Sequence, residues 1–327
     1  MIRETMSNQT TMKDFLLLAF SDTRELQISQ FFVLHYVMFL VIYFTALVGN
    51  VLIMTVVILD HQLHSPMYFF LFNLALLDVS YISTTVPKSI EVSLTNNKLI
   101  SYVGCVTQIF LVLSFAGEEL VLLTIMAYDR YIAICHPLRY RLIMSWEACI
   151  QIATASWAST LLNAMLHTAF IFRLNFCGQY IIGQFFCDIP QLQKISCSDT
   201  RVNQVLIFVF GLSVDSFCIT LIIVSYGYIF STVMKIPSDE GRCKAFSTCT
   251  PHLTVFSLFI ITAVFSYVKP KSLSSPTIEL LSGVLYTVLP PVLNPIIYSL
   301  RNKVIRRAIG KILVKMKIFL SYQKNYA

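Results

Sequence analysis

Seven long stretches of apolar residues divide the chain, and they limit its fold more than any other feature of the sequence. Each holds about 20 residues or more, which is enough α-helix to cross a hydrocarbon core roughly 30 Å thick. Numbered as spans one to seven, they cover residues 31–59, 66–90, 102–135, 147–167, 204–234, 244–268 and 277–299. Residues 31–299 are therefore predicted to form one domain within a membrane.

Composition and span length indicate the class of membrane protein. Of the 327 residues, 13% are charged and 56% are hydrophobic, whereas about 25% of the residues of a soluble domain are charged. Because the bilayer interior offers the backbone no hydrogen-bond partners, only helices and closed barrels cross it. Strands of a barrel need only about ten residues, and they alternate between apolar and polar side chains. The sequence therefore predicts an all-α membrane protein, a seven-transmembrane helix bundle.

The two ends of the chain indicate how the bundle is oriented. Residues 1–30 contain several charged side chains and no compact apolar core before a cleavage site, so span one is expected to serve as its own signal. The tail after Leu300 carries eight Lys or Arg and no acid, which favours the cytoplasmic side. Residues 1–30 are then the extracellular N-terminus, where the sequon at Asn8 can be glycosylated.

Cations and apolar residues follow one another along the tail with a helical period. Between residues 301 and 319 they form one apolar stripe flanked by Lys and Arg, which is typical of a short amphipathic helix on a membrane surface. The formal net charge of +7 reflects this tail, which anionic lipids attract. We therefore expect residues 300–327 to be a cytoplasmic amphipathic eighth helix and tail that contacts membrane lipid, and we expect no nucleic-acid partner.

Four of the nine cysteines fall on the extracellular side of this topology. They are Cys105, Cys177, Cys187 and Cys197. Disulfides are expected in that oxidising compartment, but four cysteines allow three pairings and the spacing does not select among them. Three of the four lie in the loop of roughly 35 residues between spans four and five, which is long enough to have a function of its own. Two bridges would hold this loop as a lid.

Two carboxylates, Asp78 in span two and Glu119 in span three, lie near the middle of the membrane. They are roughly 16 to 18 Å from the inner face at 1.5 Å per residue, and no Lys or Arg lies at a similar depth. A charge at the bilayer centre costs about 2.5 to 3.5 kcal/mol. Two interpretations remain open: a shared Na⁺ or proton site with Asn294 nearby, or two separately protonated acids. Glu118 and Asp215 are further acids without an assigned partner.

Motifs of membrane enzymes are incomplete in this chain. The Tyr-Asp pair at 128–129 resembles intramembrane aspartyl proteases, but the partner motif Gly-X-Gly-Asp is absent. Ser213 and His252 lie at opposite depths of spans five and six, too far apart for the proton transfer of a serine hydrolase. The six His show no metal-binding spacing. We therefore expect no enzyme, and no cofactor other than the Na⁺ considered above.

Five short motifs give the chain a family likeness. They are LHSPMYFFL at 63–71, MAYDRYIAIC at 126–135, SY at 225–226, KAFSTCTPHL at 244–253 and PPVLNPIIYSLRN at 290–302. With the seven spans they resemble the rhodopsin-like G-protein-coupled receptors and, within these, the olfactory receptors of the tetrapod type. The likeness extends from about residue 8 to residue 312. It implies an odorant receptor in the plasma membrane, in the cilia of olfactory sensory neurons.

The resemblance implies roles for individual residues. The implied disulfides are Cys105–Cys187 and Cys177–Cys197. Asp78 and Glu119 match the acids of the family's sodium site, and Arg130 would meet the C-terminal helix of the olfactory stimulatory G protein, which raises cyclic AMP. At rest, Asp129 would hold the Arg130 guanidinium. The residues implied in coupling and activation are Asp129, Arg130, Tyr131, Tyr226, Lys244, His252, Asn294, Pro295 and Tyr298.

The resemblance also implies an odorant pocket in the outer half of the bundle, among spans three, five and six. Its predicted lining is Val112, Leu113, Ala116, Gly117, Phe210, Val214, Ala263, Val264 and Tyr267. This mainly apolar lining would bind small volatile molecules by burial. The chain departs from the family pattern at Gln184, which replaces a His, at residues 259–261 and at Ala75, so ligand preference does not transfer from relatives. The main alternative function is an ion-coupled carrier that uses Asp78 and Glu119.

Overall fold

Eight long helices account for most of the structure, a computed structural model that describes residues 14–17, 29–95, 97–177, 180–197, 201–267 and 275–326. They are α1 Ser29–Leu59, α2 Pro66–Thr95, α3 Tyr102–Cys135, α4 Trp146–Ile171, α5 Arg201–Met234, α6 Asp239–Tyr267, α7 Pro276–Arg301 and α8 Lys303–Tyr326. Six of these, all but α4 and α8, are long and apolar enough to cross a membrane. Polar side chains make α4 less apolar, but its 26 residues extend about 39 Å at 1.5 Å per residue. The seven predicted helices are therefore present.

Several helices continue beyond the apolar spans from which they were predicted. Helix α6 begins at Asp239, where the Ser238 side chain accepts a hydrogen bond from the Gly241 amide, and α2 continues to Thr95. Helix α8 has 24 residues and is longer than the predicted stripe. The length of an apolar span reflects the thickness of the membrane, whereas capping residues decide where the helix itself begins or ends.

Serine side chains also begin three other spanning helices. Ser101 accepts from the amide of Gly104 at 3.1 Å, before α3. Ser145 and Ser275 do the same for α4 and α7, each at 3.2 Å. Each serine satisfies one backbone donor that the first turn of a helix leaves without a partner.

A proline within α7 is accommodated by two residues of α1. Pro295 has no N–H to bond the carbonyl of Pro291, four residues earlier. The Nδ2 atom of Asn50 donates to that carbonyl at 2.9 Å. Gly49 packs against the proline ring, and a Cβ atom at this glycine would lie 3.0 Å from Cγ of Pro295. Helix α1 thus replaces the missing hydrogen bond and approaches α7 closely.

A small three-stranded sheet, which the sequence did not predict, lies at the end of the bundle that carries the disulfides, called here the disulfide end. Its strands are β1 Phe15–Leu17, β2 Leu99–Ile100 and β3 Ile181–Ile182, in the order β2-β1-β3. Strand β1 is antiparallel to β2 and parallel to β3. The loop before α5 also contains a short helix, Ile189–Lys194. Elements this short leave no detectable period in a sequence.

Two apolar clusters hold the opposite ends of the bundle together. The end that carries Asp129 and Arg130 is called the arginine end. Near it, all eight long helices bury a large cluster that includes Leu74, Leu122, Leu123, Met126, Val255 and Ile305. At the disulfide end, the β-strands, α3, α4 and the loop bury Phe15, Leu17, Ile109, Ile171, Ile182 and Leu192. Strand β1 therefore belongs to the packed structure.

Candidate functional site

Two carboxylates and one amide meet in the middle of the bundle. Asp78 on α2, Glu119 on α3 and Asn294 on α7 are all buried. The Nδ2 atom of Asn294 donates to both carboxylate oxygens of Asp78, at 3.1 and 3.2 Å, and to Oε1 of Glu119 at 3.4 Å. The structure therefore brings together the three residues of the predicted cation site.

The chemistry of this group fits a small cation or a shared proton. No ion pair among the residues that the structure describes includes Asp78 or Glu119. The side-chain oxygen of Asn294 is buried without a hydrogen-bond partner, so an amide oxygen is available in addition to the oxygens of the two carboxylates. Oxygen ligands suit hard cations, and a proton would also relieve the repulsion between two carboxylates. A bound Na⁺ and a shared proton, the two forms of the shared site that the sequence predicted, are therefore both compatible with this geometry.

Glu118 is turned away from this group and contacts α4. Its Oε1 atom accepts from Ser156 Oγ at 2.6 Å, and its Oε2 atom accepts from Thr160 Oγ1 at 2.9 Å. The two hydroxyls are four residues apart, so they lie on one face of α4. That spacing was the available signal for a partner of Glu118. Asp215, the other unassigned acid, has an exposed side chain on α5.

At the arginine end, Asp129 and Arg130 do not form the predicted ion pair. Tyr140 Oη donates to Oδ1 of Asp129 at 2.7 Å, and no ion pair of the described residues includes either member of the pair. Burial and the charge of Asp129 raise the pKa of the Tyr140 hydroxyl, which therefore keeps its proton and remains a donor. The prediction was wrong because side chains of successive helical residues diverge by about 100°.

Arg130 lies among polar residues of three other helices. Its Nε atom is buried and has no hydrogen-bond partner. Tyr226 of α5 and Tyr298 of α7 belong to the same apolar cluster as Met126 and Ala127, in the preceding turn of α3. His252 of α6 lies against Leu123, two turns before Arg130. The Tyr298 hydroxyl is also buried without a partner. The structure thus gathers around Arg130 several of the residues that the resemblance assigns to activation.

His252 connects three helices at the arginine end. Its ring is fully buried, its Nε2 atom lies 2.9 Å from the carbonyl oxygen of Leu123 on α3, and its Nδ1 atom lies 2.8 Å from the hydroxyl of Tyr226 on α5. A carbonyl only accepts hydrogen bonds, so Nε2 carries the proton and the neutral ring accepts from Tyr226 at Nδ1. A movement of α6 must break or rearrange these two bonds.

The remaining predicted coupling residues lie near this network. Tyr131 Oη is 3.0 Å from Nε2 of His136, and its ring packs against Tyr228 of α5. Lys244 is exposed in the first part of α6. Pro295 packs on Gly49 of α1. The arginine end therefore presents exposed cationic and aromatic groups beside a buried polar interior.

Part of the predicted odorant pocket forms one apolar cluster. Val112 and Ala116 of α3 are buried together with Phe185 and Phe186 of the loop. Tyr81 of α2 and Tyr286 of α7 are buried in it as well, and the partly buried Ala263 of α6 packs against it. The sequence did not predict the four buried aromatic residues. Phe185 and Phe186 could have been found from Cys187, because a disulfide to α3 fixes its neighbours over the end of that helix.

Other predicted pocket residues lie elsewhere. Leu113 packs on the apolar cluster at the disulfide end, and the nearest neighbour of a Cβ atom at Gly117 would be Thr160 of α4. Val214 and Val264 are 44% and 51% exposed. The side chains of Phe210 and Tyr267, and all of Asn8, lie outside the described residues. The structure therefore unites Val112, Ala116 and Ala263 but not the whole set.

Two disulfides fasten the loop at the disulfide end. The structure joins Cys105 to Cys187 and Cys177 to Cys197, each with Cα atoms 5.6 Å apart, and these are the pairs that the resemblance implies. The first bridge ties the loop to α3, and the second closes a segment within the loop. The free cysteines are Cys135, Cys149, Cys218, Cys243 and Cys249.

Known proteins resemble this chain in sequence and in fold. The family model described as "Olfactory receptor" matches residues 39–316. Human Olfactory receptor 14A16 is 50% identical over 313 residues, which cover 96% of this chain and 99% of that protein. Human Olfactory receptor 14C36 is 49% identical over 311 residues, covering 95% and 98%. Squid rhodopsin, a solved structure, has a TM-score of 0.64 at 18% identity over 87% of each chain.

Proposed function

The chain belongs to the olfactory receptor family, and from this premise we propose that it binds a small, mainly apolar odorant and activates a stimulatory heterotrimeric G protein, which raises cyclic AMP. It is a multi-pass membrane protein with a rhodopsin-like fold, and it is a receptor, not an enzyme. The observation that carries the proposal is the presence, in one bundle, of a buried apolar cluster under a disulfide-tethered loop and, at the opposite end, of an Arg130 whose Nε atom has no partner near the interhelical bonds of His252.

The proposed odorant site is centred on Val112 and Ala116. These side chains are buried against aromatic rings from α2, α7 and the loop. A ligand in contact with them would therefore be shielded from water on most sides. Burial of apolar ligand surface contributes about 25 cal/mol per Å², which favours volatile molecules with few polar groups. Phe210 and Tyr267 remain predicted members of the site, and Ala263 would border it from α6.

We place the disulfide end on the extracellular side of the plasma membrane. The basic tail and the exposed cations of α8 support this orientation, because anionic lipids of the cytoplasmic leaflet attract them. The extracellular N-terminus would then carry the Asn8 sequon, and α8 would lie on the cytoplasmic face. The cilia of olfactory sensory neurons are the proposed location.

Asp78, Glu119 and Asn294 are the residues that would hold a sodium ion. When bound, the ion would supply positive charge between two carboxylates that no Lys or Arg of the described chain neutralises. Glu119→Gln keeps the shape of the side chain but removes its charge. We expect the variant to lose any dependence of ligand affinity on sodium concentration, tested between sodium and N-methylglucamine buffers. A carrier, the alternative function, would instead move sodium across reconstituted vesicles, and we expect no such flux.

Signal transfer is proposed as a population shift. An odorant that binds better to the active arrangement favours outward movement of α6, and a G protein bound at Arg130 favours the same movement. The bonds of His252 to Leu123 and Tyr226 are the contacts that this movement would exchange. Coupling between the two sites must then be reciprocal.

Arg130→Ala tests coupling. We expect it to abolish odorant-evoked cyclic AMP in cells that express the chain, while surface delivery, measured with an antibody to an N-terminal tag, remains. Arg139→Ala is the matched control, because Arg139 is an exposed arginine of the same cytoplasmic region. A full cyclic AMP response of Arg130→Ala would refute the proposed coupling.

Ala116→Leu tests the odorant site. The added carbons would fill space in the apolar cluster, and we expect the concentration of odorant for half-maximal response to rise at least about tenfold, equivalent to 1.4 kcal/mol. Ala155→Leu adds the same side chain at an exposed position of α4 and should leave the response unchanged. Equal responses of the two variants would show that the odorant does not bind at Ala116.

A further inference from the structure

The loop at the disulfide end is bound to α7 through one residue, Glu279. Its carboxylate accepts from Gln191 Nε2 at 2.9 Å and from Lys194 Nζ at 2.6 Å. Its backbone carbonyl accepts from Nε2 of Gln184. The Glu279 side chain is 13% exposed, so its ion pair with Lys194 is partly shielded from water. Three loop side chains on both sides of Cys187 therefore converge on the first turn of α7.

Two glycines make this close contact feasible. A Cβ atom at Gly283, one turn after Glu279, would overlap the side-chain amide of Gln184. A Cβ atom at Gly183 would lie 2.9 Å from Oε1 of Gln191. Gln184 is almost fully buried, and its side-chain oxygen has no hydrogen-bond partner. The loop thus packs closely against α7, but the buried Gln184 oxygen is left without a hydrogen bond. The free-energy cost of this unsatisfied acceptor offsets part of the stabilisation from the Glu279 contacts.

A cavity of about 160 Å³ lies beside these contacts. Its lining includes Gln184, Phe186, Gln191, Ser266, Glu279 and Tyr286. Phe186 and Tyr286 also belong to the apolar cluster around Val112 and Ala116. The cavity therefore borders both the Glu279 contacts and the proposed odorant site.

We propose that Glu279 is a latch that holds the loop closed over the odorant site, and that opening of its contacts admits and releases the ligand. The disulfide between Cys187 and Cys105 keeps the loop attached to α3, whereas the Glu279 contacts are hydrogen bonds and one ion pair, which break reversibly. With these contacts open, the segment that carries Gln191 and Lys194 can move away from α7 between its two disulfide anchors, Cys187 and Cys197. The role in ligand access rests on the proposed odorant function, but the opening itself requires neither odorant nor G protein.

Cysteine accessibility measures this opening directly. Ser266 lines the cavity and donates to the Ser282 carbonyl at 2.9 Å, and a cysteine at this position is close to it in size. In intact cells, a receptor with Ser266→Cys would be labelled by a membrane-impermeant methanethiosulfonate reagent without odorant. We expect added Glu279→Gln to speed labelling by about threefold to tenfold, because the ion pair to Lys194 is lost while the shape is kept.

Two further variants serve as controls. Glu91→Gln breaks an ion pair of 3.0 Å with Lys88 at the same end of the bundle and should not change the labelling rate. The double variant Glu279→Lys with Lys194→Glu restores an ion pair with the two charges exchanged. It should return the labelling rate toward that of the parent. If Glu279→Gln does not reach the surface, Lys194→Met removes the same pair from its exposed side and should speed labelling in the same way.

Equal labelling rates of the parent, the Glu279 or Lys194 variant and the Glu91 variant would overturn the latch. With a responding odorant, the latch variants should also shorten the decay of cyclic AMP after washout by a similar factor. Faster labelling without any odorant response would support the latch as an opening element but would contradict the proposed function. The two failures are therefore distinguishable.

Discussion

The disulfide end and the arginine end are fastened by different kinds of bond. At the disulfide end, two covalent bridges and a three-stranded sheet hold the loop and residues 15–17 against α3 and α4. At the arginine end, single hydrogen bonds join different helices: Tyr140 to Asp129, Tyr226 to His252, and His252 to the Leu123 carbonyl. Arg130 Nε and the Tyr298 hydroxyl are buried there without a partner.

This difference separates an end whose covalent frame stays in place while the Glu279 contacts open and close from an end whose helices must move relative to one another. A disulfide constrains the loop whichever state the helices adopt, so the apolar cluster beneath keeps its walls. A hydrogen bond between helices has a net worth of only about 0.5 to 1.5 kcal/mol, so a partner protein that offers new contacts can replace several of them. The unpartnered groups at the arginine end lower the cost of such a change.

The largest effect is expected from Cys105→Ser. Its bridge to Cys187 spans 82 residues of sequence, and the loss of a native disulfide costs about 2 to 5 kcal/mol. We expect low surface delivery and a lower midpoint of thermal unfolding for the protein that is recovered. Cys243→Ser, at an exposed free cysteine, should change neither quantity. If both variants behaved alike, the disulfide between Cys105 and Cys187 would not contribute to the stability of the disulfide end.

The seven helices were predictable because each span must satisfy its own backbone in lipid, a requirement that depends only on local composition. The sheet was not, because β1 has three residues and its partners Leu99–Ile100 and Ile181–Ile182 come from distant parts of the chain. The meeting of Asp78 and Glu119 at Asn294 was predictable for a related reason: the two acids are conspicuous in apolar spans, and equal depth brings them together.

Contacts set by side-chain direction were beyond the sequence. Asp129 and Arg130 are adjacent in the chain, yet Tyr140 donates to the carboxylate because it approaches from Tyr140–Ile143, a short helix that follows α3. Glu279 contacts Gln184, 95 residues earlier, and neither residue type is unusual at the surface of a membrane protein. Gly117 and Leu113 belong to the helix that carries Val112, but their directions place them against other elements.

A moderate effect is expected from Tyr226→Phe at the arginine end. The variant keeps the ring but leaves Nδ1 of the buried His252 without its donor, which costs about 1 to 3 kcal/mol. Thermal unfolding in nanodiscs should shift to lower temperature. Tyr228→Phe, at a side chain that is 59% exposed, is the matched control and should change stability by less than about 0.5 kcal/mol. A shift as large as that of Cys105→Ser would remove the contrast between the two ends.

The smallest effect is expected where α8 is attached to the end of α1. Asp60 Oδ2 lies 3.1 Å from Nζ of Lys311, and the Asp60 side chain also accepts from the Gln62 amide. These two hydrogen bonds, that of Lys311 first, lower the pKa of Asp60. A carboxyl whose folded pKa is lowered stabilises the folded state above its unfolded pKa of about 3.9 and loses that contribution as the pH falls through the folded value.

Asp60→Asn should therefore loosen α8 at pH 7 but not at a pH below the folded pKa of Asp60, where the parent has already lost the same charge. A nitroxide label at Gly310→Cys, in a Cys243→Ser background, would report the mobility of α8, because nothing lies within 4 Å of a Cβ atom at Gly310. Glu147→Gln removes a charge at the same end, from an exposed acid at the start of α4, and should leave the mobility unchanged. Equal mobility of the parent and Asp60→Asn at pH 7 would mean that lipid alone holds α8. The position of α8 at the arginine end would then depend on contacts with lipid, whereas the loop at the disulfide end is held by bonds within the chain.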